Sequence, residues 1–409
     1  MDTHIKEKAQ KIKESTAGEI CNHCLGRKFS KELEGPGNPR RGVQIREIMS
    51  LEGYEFSSPE KCSICGGLFQ NLEKAAEKVE NKINKLDLEY SSFLVGSKVD
   101  PDVIKKDENL NQTLEVEVES IKREINRELG KILEERLQRE VDFDYPQLVI
   151  NADFSAEEPK IHIQINPLFL EGRYRKLIRG IPQTKWPCRK CRGRGCESCN
   201  FTGKMYLETV EELISGPVLK MSKGKDSKFH GAGREDIDVK MLGSGRPFVL
   251  EIKEPRRRVL DLEKLEKEIN ETAKGKVEVL NLKYTVRSRK AEIKTSSPDT
   301  YKIYQAYVDL EKEIIPEDLK KLENLKEIKQ RTPIRVSHRR ADKIRTREVM
   351  EIKWEIIDPK TIKLIIKGQG GLYIKELISG DEERTQPNVS QVLGTSARCV
   401  ELDVLEVGI

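Results

Sequence analysis

Apolar residues recur every three or four positions over Leu72, Ala75, Ala76, Val79, Ile83 and Leu86, and again over Ile121, Ile125, Leu129, Ile132, Leu133 and Leu137. That spacing puts each set on one face of an amphipathic helix. Short apolar or alternating runs at 92–95 and 148–150, and the alternation Ile161, Ile163, Ile165, predict strands between and after these helices. Helices mixed with strands here predict a small α/β domain, closing with the run 168–177.

Beyond it, Val210, Leu213 and Ile214 predict a helix, and residues 220–228 form a lysine-rich, polar stretch read as a loop. Residues 239–242 and 248–252 look like two strands of a hairpin turned at Gly243-Ser244-Gly245. Leu260, Leu262, Leu265 and Ile269 predict another helix, and 277–293 a strand region. A second hairpin, 349–357 and 361–366, turns at Asp358-Pro359, and 398–405 ends the chain as an edge-type strand. Helices flanking a mixed, mainly antiparallel sheet make the chain an α+β protein of several domains, which its 409 residues accommodate.

Composition narrows the class. Charged residues make up 35% of the chain and aromatics 5%, as in a protein laced with surface ion pairs. No apolar run of about 18 residues and no apolar N-terminal signal core occur, so a cytoplasmic location and no membrane are expected. A net charge of only +5 makes local clusters the informative feature. Arg173, Arg175, Lys176, Arg179, Lys185, Arg189, Lys190, Arg192 and Arg194 follow one another without an acid, with Tyr174 and Trp186 among them. Arg331, Arg335, Arg339, Arg340, Lys343, Arg345 and Arg347 form a second cluster diluted only by Asp342. Guanidinium forks suit phosphate and aromatic planes suit unstacked bases, so both clusters point to RNA.

All of the nine cysteines except Cys399 fall in C-x-x-C pairs. Cys21, Cys24, Cys62 and Cys65 have the spacing that lets two knuckles place four thiolates on one tetrahedral ion, which predicts a structural zinc site with His23 a bystander. Cys188, Cys191, Cys196 and Cys199 repeat the pattern in a shorter span and predict a second one, with the interleaved arginines on its rim.

One glycine-shaped loop carries the candidate chemistry. Phe229-His230-Gly231-Ala232-Gly233-Arg234-Glu235-Asp236-Ile237-Asp238-Val239 holds an acid beside a guanidinium where glycines let the backbone turn sharply. It resembles the G-R-x-D loop of pseudouridine synthases, and over 232–239 it is similar to the archaeal and eukaryotic tRNA enzymes that act on the TΨC arm. The segment Tyr301-Lys302-Ile303-Tyr304-Gln305-Ala306 resembles that family's K-x-Y-x-A motif. Gly371-Leu372-Tyr373-Ile374-Lys375 resembles its G-T-Y-I-(R/K) signature, with Leu372 in place of Thr.

The resemblance implies an order of parts: an N-terminal zinc-knuckle module (1–70), a THUMP-like RNA-binding domain (71–185), and a pseudouridine synthase domain (186–409) that includes the second knuckle pair. It implies isomerisation of uridine to pseudouridine at positions 54 and 55 of tRNA, with no organic cofactor and no obligatory protein partner. Asp236 is then the catalytic acid, kept charged by Lys375, and Tyr304 stacks on the uracil, with Tyr301 in reserve. Tyr373 touches base or ribose, Ile374 and Leu402 wall the pocket, and Arg234 or His230 fills the gap left by the extruded base. Two other classes are a non-catalytic zinc-containing tRNA-binding protein and a THUMP-bearing tRNA-modifying enzyme of another chemistry. The latter needs a cofactor loop, and neither G-x-x-x-x-G-K-[ST] nor a convincing G-x-G-x-x-G is found.

Overall fold

The computed structural model describes residues 3–33, 35, 37–57, 60–295 and 300–408. Its chain divides into two compact units, Met1–Asn166 and Pro167–Ile409. The expected boundaries at 70 and 185 are therefore displaced, for two packing reasons. Ile12, Cys24, Ile45, Cys62 and Cys65 share one apolar core with Leu72, Leu129 and Ile150, so the cysteine knuckles are not a separate module. The run 168–177 is a strand of the large C-terminal sheet, and does not close the first unit.

In the first unit, helices α1 (Thr3–Thr16), α2 (Asn22–Lys28), α3 (Asn38–Leu51), α4 (Leu72–Leu86), α5 (Pro101–Thr113) and α6 (Ile121–Leu137) accompany strands β1 (Ser92–Lys98), β2 (Glu140–Val141), β3 (Leu148–Asp153) and β4 (Lys160–Ile165). The two apolar stripes of the sequence are α4 and α6. The sheet runs β2-β1-β3-β4, parallel except for β3 with β4. Arg27 and Lys28 of α2, Asp107 of α5 and Glu124 of α6 are buried together as ion pairs, where each charge is compensated by its partners.

The second unit is built on one long sheet: β5 (Leu168–Lys176), β6 (Asp226–Gly231), β7 (Lys240–Lys253), β8 (Val277–Thr285), β9 (Tyr301–Leu310), β10 (Glu327–Arg331), β11 (Ile344–Asp358), β12 (Thr361–Gln369), β13 (Thr385–Gln386) and β14 (Ala397–Val407). Their order is β13-β10-β11-β12-β9-β14-β7-β5-β8, with β6 also pairing β7. Helices α7 (Val210–Ser222), α8 (Leu262–Thr272), α9 (Arg289–Thr295), α10 (Pro316–Leu319), α11 (Ile374–Ser379) and α12 (Val389–Leu393) flank it. The hairpin at Asp358-Pro359 forms as β11 and β12.

Four local expectations change. Residues 239–252 are no hairpin: β7 is one strand in which Gly243 and Gly245, at φ 58° and 75°, make a kink instead of a reversal. The kink lets β7 pair with β14 before it and with β6 after it. The lysine-rich stretch 220–228 is not a free loop, because β6 starts at Asp226 and pairs along β7. The C-terminal strand β14 is interior, between β9 and β7. Of the region 277–293, only Val277–Thr285 is strand; helix α9 follows it.

Candidate active site

Asp236 lies on the irregular segment between β6 and β7, and that segment is tied down almost carbonyl by carbonyl. Arg246 Nη1 donates to Ala232 O (2.9 Å), and Gln183 Nε2 donates to Gly233 O (3.1 Å). Lys176 Nζ donates to Asp236 O (3.0 Å) and Ile237 O (3.2 Å), and Arg179 Nη1 to Asp238 O (2.8 Å). Gly233, at φ 83°, leaves no side chain in the way: a Cβ there would come within 3.0 Å of Arg246 Nη1 and 3.5 Å of Lys302 Nζ. A loop with five of its carbonyls met in this way holds its acid in one place.

Glu235 anchors the same loop from beneath. It is buried, pairs with Arg246 Nε at 2.8 Å, and accepts from the Tyr174 hydroxyl at 2.8 Å. Burial holds the Lys176 ammonium down to about 8 and, with Arg246 nearby, that of Lys302 to about 8 as well.

The loop forms one wall of a cavity of about 610 Å³. Of the residues singled out in the sequence, Arg234, Asp236, Tyr304, Tyr373, Ile374, Lys375 and Leu402 all line it. Tyr304 is buried in the wall, and burial pushes its phenol up to about 12, so the ring stays neutral. Tyr301 faces away, as the period-two alternation of β9 requires; its hydroxyl donates to Glu406 (2.6 Å). Ile374 and Leu402 are buried apolar surface. Arg234 stacks its guanidinium over Trp186, 5.3 Å from the ring centroid.

The charge pattern differs from the expected Lys375–Asp236 pair. Lys375 Nζ is 3.9 Å from Asp236 Oδ2 but 2.6 Å from Asp238 Oδ2. Against the opposing effect of its burial, the Asp238 carboxyl is held below the usual carboxylate range by Lys375. The cation directly on Asp236 is Arg335, Nη1 to Oδ2 at 2.6 Å, which also reaches Glu376 through Nε at 2.5 Å. Sequence reading placed Arg335 only in a basic cluster; nothing in its local pattern sets it apart from Arg331, which pairs with Asp342. Glu235, Arg246, Lys302 and Lys176 were also missed as parts of the site. His230 is absent from the cavity wall, its ring bonded to Glu251 at 2.9 Å.

The first basic cluster splits in two. Arg173 donates to the carbonyls of Ser244, Gly245 and Val407, Arg175 to that of Gly243, and Lys176 and Arg179 hold the Asp236 loop. These four cations are structural ties, contrary to the RNA-facing role expected of them. Arg189, Lys190, Arg192 and Arg194 are exposed. In the second cluster the side chain of Arg339 lies outside the described residues.

Both cysteine sets converge. In Cys21, Cys24, Cys62 and Cys65, and in Cys188, Cys191, Cys196 and Cys199, the sulfurs lie within 4.8 Å of one another. Backbone N–H groups point at them, Gly195 N to Cys191 Sγ and Gly203 N to Cys199 Sγ, each at 3.2 Å. Four sulfurs drawn together with N–H donors to spread their charge can hold a metal ion. His23 stays outside its set, bonded to Glu124 and stacked on Phe69.

A long mixed sheet holds Asp236 beside cations at a cavity with Tyr304 in its wall, and the likeness to known proteins gives the class: a pseudouridine synthase, an isomerase. The family model described as "Pus10, C-terminal" matches residues 169–408, and "Pus10 THUMP domain, archaeal" matches 75–153. The chain is 56% identical over 404 residues to the tRNA pseudouridine synthase Pus10 of Methanothermobacter marburgensis, covering 99% of each. It is 43% identical over 420 residues to that of Methanosphaera stadtmanae, covering 99% of this chain and 100% of the relative. With the Pyrococcus furiosus enzyme the identity is 44% over 408 residues, 98% of each. The chain belongs to the Pus10 family of tRNA pseudouridine synthases.

Among the described residues, no helix is long and apolar enough to cross a membrane.

Proposed function

We propose that this chain converts uridine to pseudouridine at positions 54 and 55 in the TΨC loop of tRNA, with Asp236 as its catalytic group. The observation that carries the reading is the carboxylate of Asp236 on the cavity wall, 2.6 Å from Arg335 and 3.9 Å from Lys375, with Tyr304 buried nearby. The reaction breaks the bond from ribose to N1, turns the uracil and joins C5 to the ribose. No electrons or groups are gained, so a single carboxylate suffices, either by adding to the base or by taking a ribose proton. Cations on both sides of it offset the cost of withdrawing a charge from water.

The remaining roles follow from position. Tyr304 offers its neutral face to the extruded uracil, and Ile374 and Leu402 keep water from it. Tyr373, whose hydroxyl accepts from Arg340 at 3.0 Å, borders the ribose side. Arg234, poised on Trp186, takes the place of the base in the stack. Lys375 serves the site through Asp238 as well as directly. The two four-sulfur sets bind structural zinc, whose preference for tetrahedral thiolate fits them. A tRNA substrate places the enzyme in the cytoplasm.

Site mapping of pseudouridine in an unmodified tRNA transcript tests this. Wild type should modify positions 54 and 55, and Asp236→Asn neither, with tRNA affinity retained. Modification elsewhere, or by the variant, contradicts the reading. Elemental analysis of the same wild-type protein should find zinc, reduced by Cys62→Ser and by Cys196→Ser; unchanged zinc in either variant removes that cluster as a site.

A further inference from the structure

Between Trp186 and Met205 the chain leaves the sheet and closes a knuckle of its own. Pro187 bridges to Lys204, and Met205 N donates to Trp186 O at 2.9 Å. The knuckle thus begins at the indole that lines the Asp236 cavity.

Its two halves repeat one backbone design. After Cys191 come Arg192 and Gly193 at φ 52° and 92°; after Cys199 come Asn200 and Phe201 at φ 49° and 58°. The set in the first unit does the same after Cys65, with Gly66 and Gly67 at φ 62° and 87°. Two left-handed residues therefore follow the cysteine each time, and the second is glycine except at Phe201. A bulky side chain in that conformation costs about 1–2 kcal/mol. The Phe201 ring recovers little of this by burial, because it is 74% exposed. The turn's own hydrogen bonds are complete without it, Phe201 N donating to Cys196 O at 2.9 Å. Strain and an exposed aromatic at one residue, with little gain in packing, are the marks of a position kept for a contact.

The surroundings specify the contact. Arg189, Lys190, Arg192 and Arg194 are exposed on the same knuckle, and Glu197 is the one acid between Lys185 and Lys204. Among the described residues no carboxylate pairs with Arg189 or Arg192. A flat exposed ring set among unpaired guanidinium groups complements a base and its phosphates better than it complements a protein or lipid surface.

We propose that Phe201 is a stacking platform for an unpaired nucleotide of the substrate RNA, with Arg189 and Arg192 on the adjoining phosphates. The proposal rests on the reading of the chain as a tRNA-modifying enzyme. It adds a second grip on RNA on a knuckle rooted in the cavity wall.

Phe201→Gly separates this role from a structural one. Glycine relieves the left-handed strain, so this variant should be at least as stable as wild type while its Kd for an unmodified tRNA transcript rises about tenfold. Phe201→Trp should restore the affinity, and Arg189→Gln with Arg192→Gln should flatten the salt dependence of binding. A Kd for Phe201→Gly within about twofold of wild type overturns the proposal, as does a loss of stability, which would make the ring a packing element. A wild-type chain that does not bind the transcript brings down the tRNA reading itself and the proposal with it.

Discussion

Lys176 shows what a single buried charge does here. It is fully buried, makes no ion pair with a carboxylate among the described residues, and spends its donors on the carbonyls of Ile181, Asp236 and Ile237. Lys176→Met removes those ties and should loosen the Asp236 loop, lowering stability by about 2–3 kcal/mol near neutral pH. The pH dependence has a definite sign. The folded-state value of about 8 lies below the ordinary 10.5, so between these two the unfolded chain holds the proton more firmly. Stability from this group is present above 10.5 and lost as pH falls through about 8. Wild type should therefore gain on Lys176→Met between those values in parallel denaturation curves; a constant difference would contradict the assignment. In the sequence Lys176 was one basic residue in a run of them. Burial is set by the partners β5 finds in the sheet, and no local pattern reports it. The loop that carries Asp236 was legible because glycines and a guanidinium mark it, whereas the place of Arg335 beside it was not, because that depends on where the segment after β10 comes to rest.

Elements with a strong period were read correctly. The stripes at Leu72 and Ile121 became α4 and α6, and the alternation at Ile161 became β4. One error came where Gly243 and Gly245, on either side of Ser244, suggested a reversal. In β7, Gly243 accommodates another strand: a Cβ there would lie 1.7 Å from Leu405 O in β14. Sequence shows the glycine but cannot distinguish a tight turn from a close crossing, since both need the missing Cβ. Gly243→Ala should therefore force β14 away from β7 and cost about 3 kcal/mol or more, seen as an earlier denaturation midpoint and faster amide exchange in β14. An alanine tolerated without change in either would mean the two strands do not approach as described. Leu402 sits on β14, so the same substitution should also reduce turnover.

At the scale of the whole molecule, charge counting alone misleads. Two acid-poor clusters in a chain of net charge +5 suggested a broad RNA face, yet Arg173, Arg175, Lys176 and Arg179 hold the protein's own carbonyls. Of the first cluster, the cations on the second knuckle, Arg189, Lys190, Arg192 and Arg194, stay exposed. The expected order of parts came from the family resemblance, and its boundaries were not legible, because a strand joins whichever sheet pairs its backbone. What the molecule assembles is the Asp236 carboxylate, held by its loop beside Arg335 and Lys375, on the wall of a cavity that also carries the apolar surface of Ile374 and Leu402.

The direct test is tritium release from a tRNA transcript labelled at uridine C5, where forming the new C5–ribose bond must expel the label. Wild type should release it and Asp236→Ala should reduce release to background while still binding the transcript. Release that persists in Asp236→Ala would contradict the account, placing the chemistry on another residue.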